Sequence, residues 1–369
     1  MYELNSKKSK NIYLLFLIMA LVAFFTVIAY TLILDNKKYE YSSNIVAKTI
    51  VKKVSEESSI EDILEDITES TVGISKVRDI GTTVFLEHSV ENLNLGSGII
   101  ISEKGYILTN AHVAGDVYSI CYITLKNGVT DNGTVIWSNN DLDLAIVKTN
   151  IKNLPVIELG DSDNIRLGTK VYAIGNPLGY ELQRTVTSGI ISGIDRTIKV
   201  EDGDKKTYFE GLLQTDATIN EGNSGGALIN EYGEVLGITT LKIEESEGIG
   251  FAIPINIIKP IIKKLNETGK FEEPYIGIYG YDKEAVAYLS QNIELEKGIY
   301  IEEIDTNGPL KNSNIIKGDI LEEIDRKKVE TMNDLKKYIY EKNIGDEVTL
   351  KIKRNKKNFE VKIKLEKLQ

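Results

Sequence analysis

In 369 residues the sequence holds one cysteine, Cys121, two histidines, His88 and His112, one tryptophan and six prolines. A single cysteine excludes a disulfide within the chain. One Cys and two His cannot make a zinc site of the usual Cys/His kind. Carboxylate sites for harder ions stay open, but no metal and no cofactor is expected. Basic residues are also in deficit: 44 Lys and Arg against 55 Asp and Glu leave a net charge of −11. That balance argues against nucleic acid as a partner, because a polyanion selects basic surfaces. No nucleotide-binding glycine loop appears. Cys121, inside the apolar-rich run SICYITL, reads as a buried small hydrophobe on a strand.

Long apolar runs are missing with one exception. Residues 12–34, IYLLFLIMALVAFFTVIAYTLIL, pass 23 positions without a charge. At about 1.5 Å per residue a helix of that length covers a hydrocarbon core of about 30 Å. A cleaved signal peptide is the rival reading, since Val27-Ile28-Ala29 resembles a cleavage site, but its apolar region is normally shorter. The expectation is therefore a retained transmembrane anchor at 12–34 behind a cytoplasmic tail, 1–11. Lys7, Lys8 and Lys10 favour that orientation, and Lys37 and Lys38 blunt it. Everything after residue 35 then lies outside the cytoplasm, at the cell membrane.

Residues 35–57 are charge-rich and poor in large hydrophobes, as in a linker or stalk. Ile60, Ile63, Leu64 and Ile67 follow at helical spacing, with Ser58-x-x-Glu61 as a capping box. From about 71 to 255 short apolar or alternating runs recur every ten residues or so. Turn signals such as KNG, DNG, NPLG, EDGD and EYG separate them, the pattern of an all-β barrel or sandwich. INIIKPIIKKLNETGK is helical in pattern and ends at Gly269. A second, small α+β unit then begins near Pro274, with strands at 275–280, 298–304, 319–325, 347–354 and 358–365 and a helix at 332–342. The basic tail KIKRNKKNFEVKIKLEK alternates around NKKN and reads as a hairpin. The boundaries are 58–268 for the first folded domain and 272–369 for the second.

Residues 219–230, INEGNSGGALIN, set one serine among glycines. A serine hydroxyl is a weak nucleophile unless a base takes its proton and donors hold the oxyanion. A plain Gly-Ser turn is the alternative on this stretch alone. His112, at the end of the strand-like YILTNAHV, is the available base. DLDLAIVKT offers Asp141 and Asp143 as its orienting carboxylate. Asp143 is chosen because it abuts the apolar Leu144-Ala145-Ile146-Val147, whereas Asp141 lies further into the loop. The order His112, Asp143, Ser224 is that of chymotrypsin-type triads, unlike the orders in subtilisins and α/β-hydrolases. In GNSGG the N–H groups of Gly222 and Ser224 can point together at a carbonyl oxygen, with Asn223 fixing the turn and Gly225 keeping space open beside Ser224. Such a base predicts a rate that falls as His112 takes up a proton.

TNAHV, DLDLAIVK, AIGNPLG, QTDATINEGNSGGALIN and GIGFAIP, in this order, resemble the HtrA/Deg family of trypsin-like serine proteases. PYIGIYG, GIYIEEI, KGDILEEID and IGDEVTLKIKR resemble the PDZ domain that follows them. The likeness covers about residues 58–366. It implies a mostly β chain: a two-barrel chymotrypsin-like protease domain, then a small α+β PDZ domain. It further implies His112 as general base, Asp143 as its orienter, Ser224 as nucleophile, and an oxyanion hole at Gly222, Asn223 and Ser224.

The same resemblance implies mobile loops at GYELQRTVTSG, DRTIKVEDGDKKTYFEG and LKIEESEGIG, the second a sensor loop with Arg196 at its start. Arg196 reads equally well as a surface salt-bridge partner. Ile219 and residues near Leu241 and Lys242 would line the substrate pocket. A homotrimer is implied as well. Tyr275-Ile276-Gly277-Ile278 would hold the carboxylate of a peptide C-terminus added to a sheet edge, and KNSNIIKGD lacks the Ala-Gly pair that often precedes the GD turn. The resulting expectation is a membrane-anchored, ATP-independent serine endoprotease acting on misfolded or regulatory proteins, in quality control or stress response. The alternative is a non-proteolytic chaperone or PDZ tether at the membrane.

Overall fold

The structure is a computed structural model of the chain, and it describes residues 59–77, 93–176, 184–202, 205–220, 222–242, 248–289 and 293–368. The expected anchor at 12–34 and the stalk up to Ser58 lie outside the described residues. Among the described residues no helix is long and apolar enough to cross a membrane.

Helix α1 (Ile60–Glu69) is amphipathic as its spacing predicts. Its cap is Ser59, not Ser58: the Asp62 N–H donates to Ser59 Oγ at 3.3 Å, so Asp62 stands where Glu61 was expected. The helix feeds the first of two six-stranded closed barrels. This barrel is built from β1 (Thr71–Val77), β2 (Leu93–Ser102), β3 (Tyr106–Thr109), β4 (Ile120–Thr124), β5 (Thr130–Asn139) and β6 (Leu144–Lys148), closed in the order β1-β2-β3-β6-β5-β4. The second takes β7 (Lys170–Gly175), β8 (Thr185–Asp202), β9 (Lys205–Thr215), β10 (Ala227–Ile229), β11 (Val235–Lys242) and β12 (Gly250–Pro254), closed as β10-β11-β12-β9-β8-β7.

Strands facing the seam between the barrels are apolar on both faces, which is why GIII and LAIV do not alternate. Ile100 and Val147 fill the first barrel. Their neighbours Ile99 and Ile146 join Ile174, Ala227, Ile238 and Phe251 of the second barrel in a shared core. The outer strand β4 does alternate: Ile120 and Tyr122 face solvent, while Cys121 and Ile123 are buried. Burial pushes the Cys121 thiol up to about 11, so it is inert packing.

The stretch DRTIKVEDGDKKTYFEG, expected as a loop, is instead mostly a β-hairpin of β8 and β9, with Ile198 opposite Phe209 and Val200 opposite Thr207. Its β-branched and aromatic residues outweigh the charges, which gather toward the tip. Residues 179–183 and 243–247 of the other two expected loops lie outside the described residues.

After β12 a 3-10 turn (Ile255–Ile257) leads into helix α3 (Lys259–Thr268), which Gly269 terminates as expected; α2 (Ala111–Ala114) is a short helical turn that carries His112. The second domain has β13 (Pro274–Tyr275), β14 (Ile278–Tyr281), α4 (Lys283–Leu289), β15 (Ile299–Ile304), β16 (Ile320–Ile324), β17 (Lys327–Lys328), α5 (Met332–Glu341), β18 (Glu347–Arg354), β19 (Lys357–Lys364) and β20 (Glu366–Lys367). Its main sheet runs β14-β15-β16-β18-β19, leaving β14 as an edge, and β13 pairs with β20. The strand expected over 275–280 is therefore broken at Ile276-Gly277, and α4 was not foreseen. The NKKN hairpin is present, its turn residues Asn355 and Lys356 at φ 47° and 63°.

The two domains meet along β5, β8, β9, α4 and α5. Trp137 Nε1 donates to Glu273 Oε2 at 3.0 Å, and Tyr340 Oη donates to Glu273 Oε1 at 2.8 Å. Phe271 packs edge-on against both Trp137 and Tyr340, with ring centroids 6.3 and 5.7 Å away. Further along, Asn333 Nδ2 donates to the Glu210 carbonyl oxygen at 2.6 Å, and Thr197 Oγ1 donates to Asp282 Oδ2 at 3.0 Å.

Candidate active site

Strand β3 stops at Thr109, and His112 sits on α2 (Ala111–Ala114), a single helical turn, rather than at the strand end. The turn buries Ala111, Val113 and Ala114, which leaves the His112 side chain half exposed. Asp143 precedes β6 with φ 51°, a left-handed conformation that Asp tolerates better than most residues. Asn110 Nδ2 holds that backbone by donating to the Asp143 carbonyl oxygen at 2.8 Å.

His112 Nδ1 lies 2.9 Å from Asp143 Oδ1 and 2.8 Å from Oδ2. The Asp143 carboxyl also accepts the His112 backbone N–H at 3.0 Å and Thr240 Oγ1 at 2.5 Å. The His112 backbone N–H and the Thr240 hydroxyl donate to it, and a carboxylate only accepts. The Nδ1 proton is thereby assigned to the side facing Asp143, and the Nε2 lone pair faces away from it. The Asp143 side chain is 7% exposed and that of His112 49%, so the pair is buried at its orienting end and open at its reactive end. Asp141, by contrast, is exposed and lies 3.7 Å from Lys336 Nζ.

Ser224 follows Asn223 on the tight loop before β10. Its Oγ donates to the Thr240 carbonyl oxygen at 2.9 Å, and no hydrogen bond joins it to His112 among the described residues. The N–H groups of Gly222 and Ser224 have no hydrogen-bond partner among the described residues, whereas the Asn223 N–H donates to the Asn220 carbonyl oxygen at 3.0 Å. Of the three expected oxyanion residues, two keep a free donor. Gly225 serves a purpose other than the one expected. At φ 84° its missing Cβ would overlap the Ser97 carbonyl oxygen and Thr109 Oγ1, so the glycine lets the serine loop press against the first barrel and does not open space for substrate.

Ser97 is the residue that sequence reasoning missed. Fully buried, it donates through Oγ to the Gly222 carbonyl oxygen at 2.5 Å and through N–H to the Ser224 carbonyl oxygen at 2.8 Å. The Asn176 N–H in turn donates to Ser97 Oγ at 2.7 Å. One side chain thus clamps the serine loop of the second barrel from the first. The available signal was Gly96-Ser97-Gly98, a second serine fenced by glycines.

The Trypsin-like peptidase domain family matches residues 96–238, and the PDZ domain family matches residues 274–365. The chain is 38% identical over 318 residues to Serine protease Do-like HtrB of Bacillus subtilis (strain 168), covering 81% of this chain and 69% of that one. With Serine protease Do-like HtrA of the same organism it shares 37% identity over 334 residues, 85% and 74% of the two chains. The chain belongs to the HtrA family of serine proteases. Among solved structures, the HtrA-type protease AlgW with tripeptide superposes with a TM-score of 0.62 at 28% identity, covering 85% of this chain and 98% of that one. The serine endoprotease from Yersinia pestis gives 0.56 at 33%, with coverage of 85% and 99%.

In this HtrA-family protease Ile219 is buried in the second-barrel core, with Gly250 against its side chain. The backbone of Leu241 and Lys242 ends β11, but their side chains lie outside the described residues, so the pocket they were expected to line is not described. Arg196 Nε donates to Gln214 Oε1 at 3.1 Å on the β8–β9 hairpin, and Arg196 forms no salt bridge among the described residues. In the PDZ domain Tyr275-Ile276-Gly277-Ile278 forms a corner between β13 and β14, with Gly277 at φ 80°. The Gly277 carbonyl oxygen accepts the Asp305 N–H at 3.0 Å, while the N–H groups of Ile276 and Gly277 are unpaired among the described residues.

Proposed function

We propose that the chain is a membrane-anchored, ATP-independent serine endoprotease that cleaves misfolded or regulatory proteins outside the cytoplasm, in protein quality control or stress response. His112 removes the Ser224 proton and later returns it to the leaving amine. Asp143 holds the imidazole tautomer and balances the charge that forms on it. The Gly222 and Ser224 N–H groups receive the oxyanion; such a donor lowers the barrier by about 3–4 kcal/mol. The observation that carries the reading is the buried carboxylate of Asp143, braced by Thr240 and holding His112 Nδ1 at 2.8–2.9 Å beside the serine loop.

The PDZ domain binds peptide C-termini at Tyr275–Ile278, and that binding regulates the protease. The unpaired N–H groups there support this, as do the HtrA-type neighbours solved with a tripeptide and a decapeptide. The uncharged run 12–34 supports the anchor, and resemblance to the family supports a homotrimer through the protease domains. Sedimentation of residues 35–369 as monomer alone would dispose of the trimer.

A fluorophosphonate probe tests the chemistry. Wild type labels and Ser224→Ala does not, and Ser224→Ala no longer degrades casein while its fold persists. A second reading, a chaperone or tether that holds clients without cleaving them, draws on the Ser224 hydroxyl being bonded to Thr240 and not to His112. Absence of labelling with and without peptides bearing free C-termini would favour it.

A further inference from the structure

Between edge strand β14 and helix α5 lies a cavity of about 510 Å³. Ile276, Ile278, Leu335 and Ile339 line its apolar part. Four carboxylates, Asp141, Glu273, Glu302 and Glu303, also line it, with Lys336 as its one ammonium group among the described residues; the buried Glu210 carboxyl lines it too but, pushed up to about 8, adds little charge at neutral pH. The imbalance is not offset locally. Lys336 is already 3.7 Å from Asp141. Glu273 accepts only neutral donors, from Trp137, Asn139 and Tyr340. Glu302 pairs with Lys317 outside the cavity, and Glu303, opposite Tyr279 across the strands, forms no ion pair among the described residues.

We propose that this groove selects polypeptide C-termini that end in an apolar side chain and carry lysine or arginine in the residues just before it. The proposal rests on the peptide-binding reading above and adds the chemistry of the ligand. A strand added to β14 would place its last side chain over the apolar part and its carboxylate at the free N–H groups of Ile276 and Gly277. That carboxylate adds a negative charge to a groove already rich in them. A neutral or acidic tail would meet uncompensated repulsion, and a basic tail supplies the missing counter-charge. The exposed ring of Tyr279 and that of Tyr281 also offer faces to the cationic side chains.

The test is fluorescence anisotropy of the full-length chain in detergent with short labelled peptides that end in the same apolar residue. The preceding run is lysine, serine or glutamate, and each peptide is made as the free acid and as the amide. The lysine free acid is expected to bind at least about tenfold more tightly than the serine one, with the glutamate peptide weakest. The spread should shrink as salt rises, and Glu302→Gln with Glu303→Lys should narrow or reverse the ranking. Equal binding of the three free acids overturns the charge selection and leaves the groove reading standing. So does a lysine preference unchanged in the double variant. Amides that bind as well as acids, or acids that do not bind at all, overturn the groove reading itself.

Discussion

Ser224 and Thr240 are joined by a hydrogen bond of 2.9 Å from the serine hydroxyl to the threonine carbonyl oxygen. Through its own hydroxyl the same threonine reaches Asp143 Oδ2 at 2.5 Å, so strand β11 braces both ends of the proposed triad at one residue. For attack, Ser224 Oγ must leave the carbonyl and turn toward His112, a change of side-chain rotamer.

Thr240→Val removes one donor from a buried carboxylate and keeps the shape. A hydrogen bond to a charged group contributes about 1.5–3 kcal/mol, so kcat should fall roughly ten- to hundredfold with little change in KM. Thr240→Ser should restore most of it. Steady-state kinetics on a chromogenic peptide decide the point, and a Thr240→Val enzyme as fast as wild type would remove Thr240 from the mechanism.

Asp143→Asn keeps the volume but presents an amide to His112. In the chymotrypsin-type case that exchange lowers kcat by about 10⁴ through the wrong tautomer, and a loss of that order is expected here. The fluorophosphonate labelling rate measures it, and circular dichroism checks that the fold is retained.

Gly225→Ala should disable the enzyme without touching any reacting group. The added methyl overlaps the Ser97 carbonyl oxygen and Thr109 Oγ1 at a backbone φ of 84°. Displacing the serine loop and straining its backbone should cost about 1–3 kcal/mol or more. Loss of labelling together with a lowered Tm is the expected pair of results.

Glu210 makes the joint between the domains pH-dependent. Burial, with Asp282 beside it, pushes its carboxyl up to about 8 from the ordinary 4.5, against the backbone N–H groups of Asp282 and Met332 and the charge of Lys336. Burial likewise raises Asp282 and Asp195, the latter also facing Asp334, Glu284 and Glu330. Because the closed joint holds the proton more tightly than an open one, its contribution is full below about pH 4.5. It declines as pH rises and is lost through about pH 8. Limited proteolysis between the domains should accelerate over that interval in wild type. Glu210→Gln, which stays neutral, should flatten the dependence.

The fold was legible where local chemistry and burial agreed. Turn signals and apolar runs marked the first domain as all-β, Gly269 ended α3, and the Asn355-Lys356 turn made its hairpin. Asp143 was distinguishable from Asp141 because only Asp143 touches a strand buried on both faces. What could not be read depends on partners distant in sequence. Ser97 matters only because Gly222 and Ser224 come to lie beside it across the seam. The family resemblance implies a loop over 195–211, yet Ile198, Val200 and Phe209 pair once β8 and β9 are long enough to register. Glu210 and Asp282 look like surface acids until the two domains close over them. Gly225 was recognised as necessary but for the wrong neighbour, since its contact atoms belong to the other barrel.

Trp137 is the sole indole of the chain, and it stands at the joint, with Glu273 on its nitrogen and Phe271 against its ring. The protein therefore carries its own optical probe of domain separation. Tryptophan emission reports on one place only, where parting of the PDZ domain from the first barrel would let water reach the ring and move the spectrum to the red.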